Sequence, residues 1–451
     1  MEEPMNLSAF SEEAQSGIAP NPVAQAAWHG LMWLVVANTV GVMLAVLLLF
    51  PSLNGALGEW SYGRWMMVHL NLELYGWTSM PLLGFLFKVY GVDRGPAAVW
   101  CRPVLWVWSA ALGAGALAWL SGDSSGKLFL DWQGYTRILF IGALLTLWLF
   151  LLLKSSLLSG SGLRSGKDRR VWWAKLVGLV VLLAVPLLLY FASSPAVYPP
   201  INPDTGGPTG ASQLESSLIV VLILLTLPCG IARRLPGKRR AIGVAWWVLA
   251  AESTLCAAMG RANASHHQPL QYMSLGTLLL WLPLIPAYYS AFAWHDNTRR
   301  WRTALYGWWG ALVVTGWVLF LPGVLDKFKF TDGLVGHTFV AMAGFTSTAL
   351  ILVVVQILGD GGWVFNRTRS FYAWHGSVIA YAALMTIAGW LEQSNPAFTM
   401  IPGTLRNLLY ALRLLTGSFM LLASLDWFVG ASRLLREPTS LRIDPLQEKT
   451  A

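Results

Sequence analysis

The chain is 451 residues long, 55% hydrophobic and only 12% charged, with 25 tryptophans and a mean hydropathy of +0.54. A soluble chain of this length would carry about 25% charged residues, so a water-soluble globular fold is excluded. The net charge of +9 would suit a polyanion, but its placement along the chain excludes nucleic acid as the partner.

Residues 1–28 are polar and acidic and lack the basic start, short apolar stretch and small-residue cleavage site of a secretory signal. They read as a cytoplasmic tail. Twelve apolar runs follow, each near the roughly 20 residues that cross a bilayer as helix: 29–50, 66–90, 100–121, 135–156, 172–193, 213–232, 240–260, 270–294, 302–323, 333–358, 370–391 and 404–431. The expected architecture is all-α and polytopic, with one membrane domain over 29–433 and a second tail over 434–451. Lysine and arginine concentrate in the even-numbered connections. Lys154, Arg164, Lys167, Arg169, Arg170 and Lys175 flank the fourth; Arg233, Arg234, Lys238, Arg239 and Arg240 fill the sixth; Arg299, Arg300 and Arg302 mark the eighth. The positive-inside rule then puts both termini in the cytoplasm. The basic excess is a topology signal. Two connections stand out: a flexible basic one from Ser159 to Lys167, and a stiff external one, Pro199 to Gly210, dense in turn formers. No repeat points to the inverted halves of a transporter.

Two histidines, His69 and His337, fall at matching depth in the second and tenth runs, each about one helical turn, roughly 6 Å, below the outer end. An imidazole inside a bilayer is costly without a partner, which makes it a functional candidate by default. Two at one level suggest a cofactor between helices, and haem iron is the commonest occupant; the bland alternative is helix–helix packing. Glu73, four residues after His69, shares its helical face and, with Asn71, makes that helix unusually polar. Glu252 and Asp426 are further membrane carboxyls. His29 and His295 fall at cytoplasmic helix ends, and His375 in the inner half of the eleventh run. Cys101, Cys229 and Cys256 lack metal or disulfide spacing and read as buried thiols; with no C-x-x-C-H motif, any haem is held non-covalently.

The early segments Phe50-Pro51-Ser52-Leu53-Asn54, Tyr62-Gly63-Arg64 and Val68-His69-Leu70, with Asp332-Gly333-Leu334-Val335-Gly336-His337-Thr338-Phe339 and Ala343-Gly344-Phe345, resemble subunit I of the haem–copper oxidases, nearest the cbb type. The likeness extends to the twelve runs, the cytoplasmic termini and Leu409 to Gly417, and it is distant. It implies a subunit I-like bundle in the bacterial inner membrane, with one or two b-type haems and partner subunits of a respiratory complex. A cytochrome c-type electron donor is implied too. His69 matches the helix-two ligand of the low-spin haem, and His337 the ligand of the high-spin haem. Phe339 stands where the second low-spin ligand belongs, and Leu214-Glu215-Ser216 where the first copper ligand does. The family's adjacent copper-binding histidines fall on Ala262 and Asn263 by a gapless count, leaving His266 and His267 in the following loop. Glu73, Glu215, Asn263, His266 and His267 are the positions around any remnant copper site. Copper favours imidazole-rich sites, so it is not expected here.

His69 and His337 then hold separate haems, or bracket a single one; the sequence leaves both open, and assigns no catalytic residue. The function expected is respiratory electron transfer or reduction of O2 or NO. The alternative is a redox-inactive scaffold or assembly subunit that kept the fold; a transporter is third.

Overall fold

The computed structural model describes residues 21–155, 157, 166–198, 213–260 and 265–436. The protein is all-α and polytopic. Ten described helices are long and apolar enough to cross a membrane. The helices in chain order are α1 (Pro22–Leu49), α2 (62–90), α3 (Gly95–Ser121), α4 (Gly134–Lys154), α5 (Gly166–Ala192), α6 (Gln213–Ile231), α7 (Arg239–Met259), α8 (Pro269–Tyr289), α9 (Arg299–Leu319), α10 (Asp332–Asn366), α11 (Thr368–Ser394) and α12 (Thr404–Leu434). All twelve expected runs are therefore helical, but α2 and α9 are not among the ten. Arg64, Glu73 and Lys88 dilute the first, and arginines and tryptophans the second.

The first helix starts earlier than the apolar pattern suggests. Asn21 caps it, its side-chain oxygen accepting from the amides of Val23 and Ala24, and Pro22 occupies the first helical position, where a missing amide hydrogen costs nothing. The boundary expected at residue 28 thus falls inside α1. His29, expected at an interface, is buried and bonded through Nδ1 to Ser109 Oγ at 2.9 Å. Residues 1–20, the external loop Pro199 to Gly210 and 159–165 of the basic loop lie outside the described residues, while the last two residues of the basic loop, Gly166 and Lys167, open α5. Cys101 is the buried thiol; Cys256 is half-buried and Cys229 exposed on the helix surface.

Most neighbours in sequence pack on one another, α1 also lies against α12, and α10 crosses the middle of the bundle to touch α1, α2 and α6. The most enclosed element is α10, in which every residue from Ser347 to Val355 is buried. Its lower half meets that of α2, where buried Trp77 donates to Ser347 Oγ at 2.8 Å. At one end of the bundle a two-stranded antiparallel ladder, Arg233–Arg234 with Phe292–Ala293, ties the sixth connection to the eighth.

Candidate functional site

His69 and His337 sit on one side of the Trp77–Ser347 crossing, towards the starts of α2 and α10. At 1.5 Å per residue they lie about 12 and 15 Å from it, so their depths match closely. The two helices share a winding defect. In α2 regular α-helix gives way to a π segment at Leu72–Thr78, and in α10 at Val340–Thr346. Each defect opens on the third residue after its histidine. π-Segments inside α-helices concentrate at functional sites. Each also holds a glycine seven residues after the histidine, pressed on a tryptophan of the preceding helix: Gly76 on Trp33 and Gly344 on Trp308.

The imidazoles are seated alike. The ring of His69 lies over Gly41 of α1, where an added Cβ would come within 2.9 Å of the ring, and that of His337 lies over Gly316 of α9, where the distance would be 3.4 Å. His69 Nδ1 is 2.8 Å from the Ala37 carbonyl oxygen, and His337 Nδ1 is 3.0 Å from Thr315 Oγ1. A carbonyl only accepts, so His69 carries its proton on Nδ1. Thr315 spends its own hydrogen on the Ala311 carbonyl, so its oxygen accepts from His337 as well. Both tautomers, assigned from these networks, turn the Nε2 lone pair outward. Among the described residues neither Nε2 has a hydrogen-bond partner. An imidazole fixed through one nitrogen with the other open is the form in which histidine ligates a metal. The donor set and the glycine cradles fit haem iron at both positions.

The segments carrying the histidines rest on different neighbours. Residues 62–71 lie on α1 and α3, and 332–339 on α11 and α9. Phe339 stacks on Tyr381 of α11 with centroids 3.9 Å apart, and the Arg413 guanidinium of α12 lies 5.3 Å over the other ring of the pair, Tyr381. Arg413 also stands 3.9 Å from Asp332, both largely buried.

The remaining expected positions do not gather here. Glu215 is exposed in the first turn of α6. Asn263 lies outside the described residues. Glu73 is half-buried in the π segment of α2. Asn71, buried beside it, donates to the Met67 carbonyl and leaves its own oxygen unpartnered. His266 and His267 fall in the turn after α7, beyond its last residue Met259, as the gapless count implies. Both reach Asp326 in the one-turn helix Val324–Phe328, with Nε2–oxygen distances of 2.8 and 3.2 Å. Their bonds, led by that of His266, hold the Asp326 carboxyl below its ordinary pKa. Elsewhere, His375 Nδ1 accepts from Trp308 and its Nε2 is buried without a partner. Asp426 pairs with Arg367 and Ser370. The Glu252 carboxylate accepts from buried Trp281 at 2.6 Å, its second oxygen unpartnered. Trp281→Phe should therefore cost about 1–3 kcal/mol by leaving a buried acceptor unmatched, read as a lower melting temperature in detergent; Glu252→Leu in the same background should restore part of it.

The spacing of the matched device is present in the sequence, although the contacts that give it meaning are not. Trp33 and Gly41 are spaced as Trp308 and Gly316 are, and His69, Gly76 and Trp77 as His337, Gly344 and Phe345.

No protein-family model matches the chain, and no curated protein does. Among solved structures, the chain is similar to that in a cryo-EM structure of a heme-copper terminal oxidase dimer, with a TM-score of 0.46 and 12% identity, covering 93% of this chain and 85% of that one.

Proposed function

We propose that this protein is a haem-binding membrane subunit of a respiratory complex, acting in electron transfer or in the reduction of O2 or NO, with His69 and His337 as the iron ligands. The observation that carries the reading is the repeated seat. Two intramembrane imidazoles at one depth each have Nδ1 anchored, Nε2 open, a glycine behind the ring and a π segment beginning three residues on. Packing alone would not ask for the same arrangement twice.

Haem, when bound, supplies an iron that carries an electron or holds a gas, depending on whether its sixth position is filled. The chain's own residues do the positioning. The Ala37 carbonyl and Thr315 hydroxyl fix the imidazole tautomers and raise the basicity of Nε2. The different neighbours of the two rings, α1 for His69 and α9 for His337, favour two separately held haems over one bracketed between them. A copper beside the haem iron has no part in the proposal, since Glu215 is exposed and His266 and His267 face Asp326 in the turn after α7. Further subunits, a cytochrome c-type donor and placement in a bacterial inner membrane, both termini inside, belong to the same reading.

The redox-inactive scaffold is favoured by one observation, the stacking of Phe339 on Tyr381 where the resemblance expects a second ligand. An absorption spectrum of the purified, dithionite-reduced protein separates the two. A Soret band with sharp α and β bands is expected; a spectrum with no porphyrin absorption would leave the scaffold.

A further inference from the structure

We propose that His266, His267 and Asp326 form a divalent transition-metal site, zinc-type in its chemistry, which staples the connection between α7 and α8 to the one between α9 and α10. One ligand atom from each of the three lies within 4.8 Å of the other two. Two ligands about 2.0–2.1 Å from a tetrahedral ion stand roughly 3.3 Å apart. The observed Nε2–carboxylate separations of 2.8 and 3.2 Å are within a few tenths of an ångström of that. The hydrogen-bonded cluster and the metal-bound one therefore need nearly the same backbone.

The site is built and also reachable. The His266 side chain is 4% exposed, which fixes one ligand, whereas those of His267 and Asp326 are 43% and 47% exposed and open to dissolved ions. The two imidazole rings lie 4.1 Å apart, centroid to centroid. The turn that presents them is held locally: the His267 amide donates to Ser265 Oγ and the Gln268 amide to the Ser265 carbonyl. On the opposite side, Gly323 in a left-handed conformation opens the short helix of Asp326, and buried Leu325 anchors it.

Binding keeps the proton balance simple. Each imidazole gives up the hydrogen that Nε2 directs at the carboxylate, as a proton released to water or moved to an unprotonated Nδ1, and the ion takes the place of the two N–H groups. Two imidazoles and one carboxylate select a borderline ion of the zinc, nickel or copper kind over calcium or magnesium, which prefer oxygen. Three protein ligands also leave a position for water. The site shares no residue with the intramembrane histidines, and its test is independent of haem.

Zinc chloride is titrated calorimetrically into the purified full-length protein in detergent, after chelation and with calcium present throughout. Near-stoichiometric binding is expected, weakened about 10-fold or more by His267→Ala and by Asp326→Asn. Both residues are exposed, so either variant should keep the parent's size-exclusion profile. Zinc should also slow amide exchange in 265–276 and 320–331 together, and in neither variant. Wild-type binding that both variants leave unchanged, or no saturable binding, would overturn the proposal. Slowed exchange in one segment alone would overturn the staple.

Discussion

His69→Ala is expected to remove a low-spin haem signal and to lower the porphyrin recovered per chain. The ring it deletes is anchored at Nδ1 and has no equivalent within reach on α1, where Gly41 and the Ala37 carbonyl face it. His337→Ala is expected to remove a different signal, because its ring is supported by α9 instead. With one haem per histidine, each variant should retain about half the porphyrin, and the double variant almost none. A single bracketed haem would behave otherwise: either substitution would perturb the same band. A pyridine haemochrome assay normalised to protein, with reduced spectra of all three variants, reads the difference. Gly41→Val supplies a second handle, since a Cβ there would come within 2.9 Å of the His69 ring and push it aside without removing the ligand. It should mimic His69→Ala in part and spare the His337 signal. Unaltered spectra in His69→Ala would refute the ligand assignment.

Gly389→Leu should be among the most damaging single substitutions in the membrane domain. α10 and α11 touch backbone to backbone near the first turn of α10: a Cβ on Gly389 would run into the amide and Cα of Gly333, and one on Gly336 would meet the Ala382 carbonyl oxygen at 2.8 Å. Small residues at such a crossing let membrane helices approach closely and gain dispersion contacts. Overpacking usually costs about 1–3 kcal/mol, and here the obstacle is main chain on both sides, so the helices themselves must part. The displaced segment carries His337. The expected result is a large fall in thermal stability on fluorescence size exclusion, with loss of the His337-dependent signal in whatever folds. Gly376→Leu is the matched control, lying on the same helix with no atom within 4 Å of its added Cβ. Equal behaviour of the two variants would mean that the crossing is unimportant.

Much of this architecture is legible in the sequence because a bilayer leaves few alternatives. A long apolar run has to satisfy its own backbone, so it becomes helix, and all twelve runs did. Their ends are less legible: Asn21 and Pro22 start α1 well before hydropathy rises, which turned His29 from an interfacial residue into a buried one bonded to Ser109. The depth of His69 and His337 could be read from position alone. Their support could not, because Ala37, Gly41, Thr315 and Gly316 come from neighbouring helices. The same holds for Asp326, 59 residues from His267 in sequence and in hydrogen-bonding distance of it in space. Periodicity reports which face of one helix is apolar; it carries no information on which loop meets which. The π segments were invisible for a related reason: their glycines suit the tryptophans of other helices, and nothing local to 72–78 or 340–346 demands wider winding.

Those two stretches have a consequence for how the chain can change length. A π segment holds one residue more than an α-helix of equal rise, so losing one residue inside it restores regular winding without shortening the rod by a full step. A π segment turns the chain by roughly 80° per residue against about 100° in an α-helix, so six α residues turn it nearly as far as seven π residues and the repair leaves the two ends within roughly 30° of their present azimuths. In α2 and α10 the histidine lies upstream and the Trp77–Ser347 junction downstream. A lone deletion inside 72–78 or 340–346 would therefore keep the imidazole near its present azimuth with the junction intact, whereas a deletion in the regular winding between histidine and junction would swing it by roughly 100°.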